Sequence, residues 1–172
     1  MSPHIKLARL AVKSFVEKGE IISIPKNLPK ELIEKRAGVF VTIKKQGKLK
    51  GCIGTYLPTK ENIAQEIVRN AIAAAIEDDR FEPIEKEELS LLNYEVNILG
   101  KLELIKDISE LDPKKYGIFV KTISGLKSGL LLPDLDGIDT IEQQIIIACQ
   151  KGDIDPAKER MVIYRFTTKK YS

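Results

Sequence analysis

One short run of residues joins nucleophilic chemistry to an unusual backbone: Leu49-Lys50-Gly51-Cys52-Ile53-Gly54-Thr55. A cation near a cysteine favours the thiolate, which is the nucleophilic form. Cys52 is therefore the candidate nucleophile. Lys50, two residues away and on the same face of an extended strand, is the candidate activator. Glycine weakens a strand interior and marks a bulge or a close approach to the backbone. Gly51 and Gly54 leave the amides around Cys52 uncovered, so with Thr55 they are candidate binding residues. The plainer alternative is a small buried cysteine in a tight strand crossing. Nucleophilic cysteines also need a base, and the one histidine, His4, lies near the chain start.

A second cluster is Asp78-Asp79-Arg80-Phe81-Glu82-Pro83. Asp79 and Arg80 are candidates for the rim of a pocket, with the planar Arg80 fork gripping an anion. The structural alternative is an Asp–Arg ion pair that pins the loop after a helix. Three acidic residues from Glu77 to Asp79 raise the thought of a cation, but metal sites need converging ligands. No metal and no cofactor are predicted. Cys149 fits the core, and the basic run Lys44-Lys45-Gln46-Gly47-Lys48 fits a solvated turn.

The elements that must position these residues follow from spacing. Ser2 caps a helix that begins at Pro3, carries Leu7, Leu10, Ala11 and Phe15 on one face, and ends at Gly19. A short helical turn covers residues 31–35. Val39 to Ile43 is β-branched and aromatic, Gln46-Gly47 breaks it, and residues 48–56 return as the second hairpin strand. Thr59 caps a long helix to about Glu77, with Ile63, Ile67, Ala71 and Ala74 on one Ala-rich face. Residues 85–92 form a brief helical turn, and Tyr94, Val96 and Ile98 alternate along a strand that 102–105 extends. Residues 116–122 and 130–132 are two further strands. Thr140 and Gln143 make a capping box for a second helix, which Gly152 ends. Residues 162–166 form the last strand, followed by a basic tail. Strands that arrive both as hairpins and around helices define an α+β class with a mixed, largely antiparallel sheet.

At 172 residues the chain forms a single domain, with an N-terminal helix over about 3–18 and a core over about 36–168. Its 43% hydrophobic and 31% charged composition is that of a globular protein. Apolar runs are far shorter than a membrane span, and no secretory segment is expected. Two distant cysteines form no disulfide framework, so a cytoplasmic location is expected. A net charge of +3 is too small to suggest nucleic-acid binding.

Several motifs in order make the chain resemble the AMMECR-domain family, in its stand-alone bacterial form from the AmmeMemoRadiSam system. They are Arg36-Ala37-Gly38-Val39-Phe40-Val41, the glycine–cysteine run at 49–55, Asp79-Arg80-Phe81-Glu82-Pro83, Tyr116-Gly117-Ile118 and Gly129-Leu130-Leu131-Leu132-Pro133. The resemblance runs from about Ile5 to Phe166. Lys50 stands where the family pattern has Arg, and Lys lacks the bidentate grip of a guanidinium. The resemblance implies two unequal lobes with the glycine–cysteine motif at a cleft. It implies no settled activity. It does imply a pathway shared with a Memo-like protein and a radical SAM protein. The leading expectation is an enzyme or enzyme subunit organised around Cys52 that acts on a small or partner-borne substrate. The alternative is a non-enzymatic binding or adaptor module; a nucleic-acid binder is a distant third.

Overall fold

The computed structural model describes residues 1–172. In chain order the elements are α1 (Pro3–Lys18), α2 (Lys30–Glu34), β1 (Val39–Lys45), β2 (Lys48–Gly54), α3 (Ile63–Ile76), β3 (Leu92–Leu99), β4 (Glu103–Leu104), β5 (Gly117–Thr122), β6 (Ser128–Leu131), α4 (Ile141–Lys151), β7 (Met161–Phe166) and β8 (Thr168–Tyr171). A 3-10 turn over Lys86–Leu91 precedes β3. The class is α+β, as the sequence implies. The strands divide into two four-stranded sheets, ordered β2-β1-β3-β8 and β4-β7-β5-β6. The partners of β1 and of β5, and the β4–β7 pair, run antiparallel. Two compact units result: Met1–Leu99 with Lys169–Ser172, and Gly100–Thr168. No helix is long and apolar enough to cross a membrane.

In the first unit, Ser2 Oγ accepts from the Ile5 amide and Gly19 closes α1 in the left-handed region at φ 73°. The buried face of α1 is His4, Ile5, Leu7, Ala8, Ala11 and Val12; Leu10, expected inside, is exposed. The β1–β2 turn places Gln46 at φ 50° and Gly47 at φ 80°, the left-handed pair that matches the twist of a two-residue hairpin. Val39, Val41 and Ile43 alternate inward from β1 and join Ile67, Ala71 and Ala74 of α3 in one cluster. Each such Val or Ile contributes about 1.5–3 kcal/mol on burial. The small alanines let α3 lie close to the sheet.

Two expectations are corrected here. Asn62, not Thr59, caps α3, its Oδ1 accepting from the Gln65 amide at 3.0 Å. The Thr59 amide is instead turned onto the Glu66 carboxyl group, so residues 59–61 fold over the first turn of the helix. Residues 162–166 are also not the last strand: the basic tail forms β8 (Thr168–Tyr171), beside β3.

The second unit repeats the plan of a hairpin on a helix. β5 and β6 pair from Ile118↔Leu131 to Lys121↔Ser128. Thr140 and Gln143 form the expected capping box on α4. Ala148 and Cys149 of α4 join Ile118, Val120 and Leu131 in a separate apolar cluster.

Candidate functional site

The site grows from an irregularity in the β1–β2 ladder. Lys44 pairs with Leu49, but Ile43 pairs with Gly51, so Lys50 is an extra residue with no register partner. This is a β-bulge, and it breaks the simple alternation of the strand. Leu49 is exposed, whereas Ile53 packs against the core. The bulge also sets Cys52 opposite Thr42, and Thr42 Oγ1 and Cys52 Sγ hydrogen-bond at 3.2 Å.

The strand β2 is at the edge of its sheet, and edge backbone groups need partners or protection. At Cys52 a single ion pair supplies both. Asp78 Oδ2 accepts from the Cys52 amide at 2.8 Å, and an Arg80 terminal nitrogen approaches the Cys52 carbonyl at 3.4 Å. Arg80 also donates to the two Asp78 oxygens at 2.8 and 2.7 Å, a bidentate fork. The Asp78 side chain is only 3% exposed, while that of Arg80 is 55% exposed. Side-chain hydrogen bonding by Arg80 brings the Asp78 carboxyl down to about 2, against the opposing effect of burial and with help from the Cys52 and Arg80 amides. Arg80 is raised in turn, first by its hydrogen bonds to Asp78; burial opposes this, and attraction to Asp78, Cys52 and Asp79 adds to it. Arg80 is thus the cation that reaches the Cys52 backbone.

The remaining candidates are placed as follows. Lys50 Nζ lies 3.4 Å from Glu88 Oε1, which also accepts from Lys45 at 2.8 Å. Glu88 is held near 2, chiefly by the Lys45 hydrogen bond. Lys50 is therefore engaged by a carboxylate, and Arg80 is the cation built onto Cys52. Asp79 is exposed with no hydrogen bond; its neighbour Asp78 takes the buried role. The three acidic side chains after α3 diverge, because Glu77 pairs with Arg69 and Asp78 with Arg80. Thr55 hydrogen-bonds through its amide to Val39 O at 3.2 Å and lies within 3.5 Å of Glu66.

Gly51 faces helix α3. A Cβ there would stand 2.9 Å from the Ala74 carbonyl carbon and closer still to its oxygen. At Gly54 a Cβ would meet Val39 O and the Phe40 ring. The close approach expected at both glycines is thus made by the protein's own chain. Sequence reasoning missed Thr42, Glu66 and Asn70. The signal for the last two was present: both are polar side chains on the apolar face of α3. Glu66 is fully buried and accepts from Lys60 N at 2.6 Å, and Asn70 Nδ2 donates to Val39 O at 2.9 Å. No three His, Cys, Asp or Glu side chains stand together as a metal site would require. His4, the only imidazole, is stacked on Tyr171 with ring centroids 3.6 Å apart.

Comparison with known proteins gives the family and the fold. The sequence pattern of the AMMECR1 family matches residues 5–171. A Thermotoga maritima protein is 48% identical over 170 residues, covering 98% of this chain and 97% of that one. A Clostridium acetobutylicum protein is 46% identical over 154 residues, which is 89% of this chain but 32% of the longer relative. The crystal structure of a Pyrococcus horikoshii protein superposes with a TM-score of 0.88 at 32% identity, covering 97% of this chain and 88% of that one. The chain belongs to the AMMECR1 family.

Proposed function

We propose that the protein is an enzyme subunit centred on the Cys52 thiol, with Arg80 as its counter-cation and Asp78 as the residue that positions both. The observation that carries this reading is the clamp: one buried carboxylate and one exposed guanidinium hold the amide and the carbonyl of the same cysteine. A base is the missing part. The Asp78 carboxyl is too weak a base at about 2. Thr42 offers a hydroxyl and His4 lies in the α1–Tyr171 stack. The Cys52 proton therefore passes to solvent, to the substrate or to a group on a partner. This is the sense in which the chain is a subunit.

The test is iodoacetamide labelling of the native protein, read by mass spectrometry across pH. Cys52 is expected to react while Cys149 stays protected. Cys149 is 1% exposed and burial raises its thiol above its ordinary value. Arg80→Gln should slow Cys52 alkylation near neutrality, because removing a cation beside a thiol disfavours the thiolate. Equal protection of the two thiols, or an unchanged rate in Arg80→Gln, would rule the reading out.

A second reading, an adaptor module, draws on the Clostridium relative, in which the matched region occupies 32% of a longer chain. A region joined to other sequence in one protein is suited to docking on a separate protein in another. The family resemblance suggests a Memo-like protein and a radical SAM protein as partners. Co-purification with each, using the parent and Cys52→Ser, separates the readings. An adaptor keeps its partner in the variant, with no loss of any activity of the complex.

A further inference from the structure

Helix α3 turns Ile67, Ala71 and Ala74 into the core of the first unit. Its other side forms one wall of an apolar groove of about 540 Å³. Val68, Ile72 and Ile76 line that wall; Phe15 of α1 and Ile22 and Ile24 of the following segment line the rest. The volume is that of a small-molecule site, and such sites combine apolar walls with a few placed polar groups. The polar groups here are Lys60, Arg69 and Glu77, with Gln65 and Ser23.

The charges at the groove are unequal. Arg69 and Glu77 form a bidentate pair, with nitrogen–oxygen distances of 3.0 and 2.9 Å, and cancel each other. Lys60 is held by its backbone: its amide donates to Glu66 and its carbonyl accepts from Arg36 at 3.1 Å. Its ammonium makes no ion pair. The groove thus has apolar walls, and of the charged side chains lining it Lys60 is the one outside an ion pair. We propose that it binds a straight-chain aliphatic monocarboxylate, with the chain along Phe15, Ile22, Ile24, Val68, Ile72 and Ile76 and the carboxylate on Lys60. This site does not involve Cys52 and stands independently of the role given to it.

Calorimetric titration of the full chain with hexanoate, octanoate and decanoate, each below its micelle concentration, tests the proposal. Saturable one-to-one binding is expected, tightening about fourfold per added methylene. Decanol and decylamine should bind at least about tenfold more weakly than decanoate, since neither can pair with Lys60. Lys60 is exposed, so Lys60→Glu should keep the fold, checked by its thermal midpoint, and should weaken decanoate by about tenfold or more. Glu77→Gln releases Arg69 from its partner and should tighten decanoate. Absence of saturable binding, affinity that does not depend on chain length, or equal affinity in Lys60→Glu would overturn the proposal. So would a partner protein that occupies the groove while the carboxylates do not.

Discussion

The two units use the same packing device and differ in what they bury beside it. In the first, Gly51 of β2 meets the Ala74 carbonyl of α3; in the second, Gly129 of β6 meets the Ala148 carbonyl of α4. In both a strand glycine lets a helix backbone approach a hairpin. The buried polar groups then diverge. The first unit buries His4, Glu66 and Asp78, whereas the buried polar side chains of the second are Thr122 and Gln144. Burying an ionisable group is costly unless it is paired or hydrogen-bonded. The first unit maintains a paired Asp78 and a multiply bonded Glu66. The glycine in the Cys52 motif therefore serves packing, and the signature of a site is the ion pair clamped onto the residue after it.

The largest expected effect tests whether the two crossings are equivalent. Gly51→Ala and Gly129→Ala each press a methyl group against a helix carbonyl that cannot rotate away. Overpacking costs about 1–3 kcal/mol and occasionally more. Against backbone the upper end of that range, about 3 kcal/mol, is expected for both. Urea denaturation with matched m-values measures it. A large loss at one position and none at the other would break the parallel.

Next in size is the acid limb. The folded Asp78 carboxyl, at about 2, lies below its ordinary value of 3.8. Its contribution is therefore complete above pH 4 and is lost as pH falls from about 4 towards 2, to a total of about 2 kcal/mol. Glu88, also near 2, loses its contribution over a similar range. Asp78→Asn should be less stable than the parent at pH 6, and the gap should close as pH approaches 2. Of the carboxylates lowered in the second unit, Asp107 is exposed and Glu110 and Glu159 are only half-buried, so they should contribute less of this slope than Asp78. Substituting them with amides and finding the acid limb flattened would reverse the assignment.

Much of this architecture was legible from sequence. Ser2, Gly19, Thr140 and Gln143 announced helix ends, because capping is local chemistry. The Gln46-Gly47 turn announced the hairpin, and the two glycines announced a close approach. The partners of Cys52 were harder to foresee. Without the bulge, the turn would set Thr42 opposite Gly51; the extra residue Lys50 moves Thr42 to Cys52 and disrupts the face that Lys50 was expected to share with the thiol. An Asp–Arg pair was legible, but choosing Asp78 over Asp79 depends on how the chain leaves α3, which spacing does not encode. The division into two sheets escaped for a similar reason. Lys169 and Lys170 look like a solvated tail until Tyr171 finds the ring of His4.

That contact gives the smallest and most selective test. His4 is 5% exposed, and neither ring nitrogen has a hydrogen-bond partner. Burial lowers its pKa below the ordinary 6.5; Glu31 acts to raise it and Lys169 to lower it further. The folded state thus favours neutral imidazole. Stability should be full above pH 6.5 and should decline as pH falls below it, because protons bind the unfolded chain first. The second unit contains no histidine, so a titration between pH 7.5 and 5.5 interrogates the first unit through this residue. His4→Phe keeps a ring on Tyr171 and removes both orphan nitrogens, a change expected to be neutral or mildly stabilising. Its stability should be flat across the window in which the parent declines. A parent that gained stability on acidification, with a flat His4→Phe, would mean that protonated His4 finds an anionic partner, with Glu31 the nearest candidate by its effect on the ring.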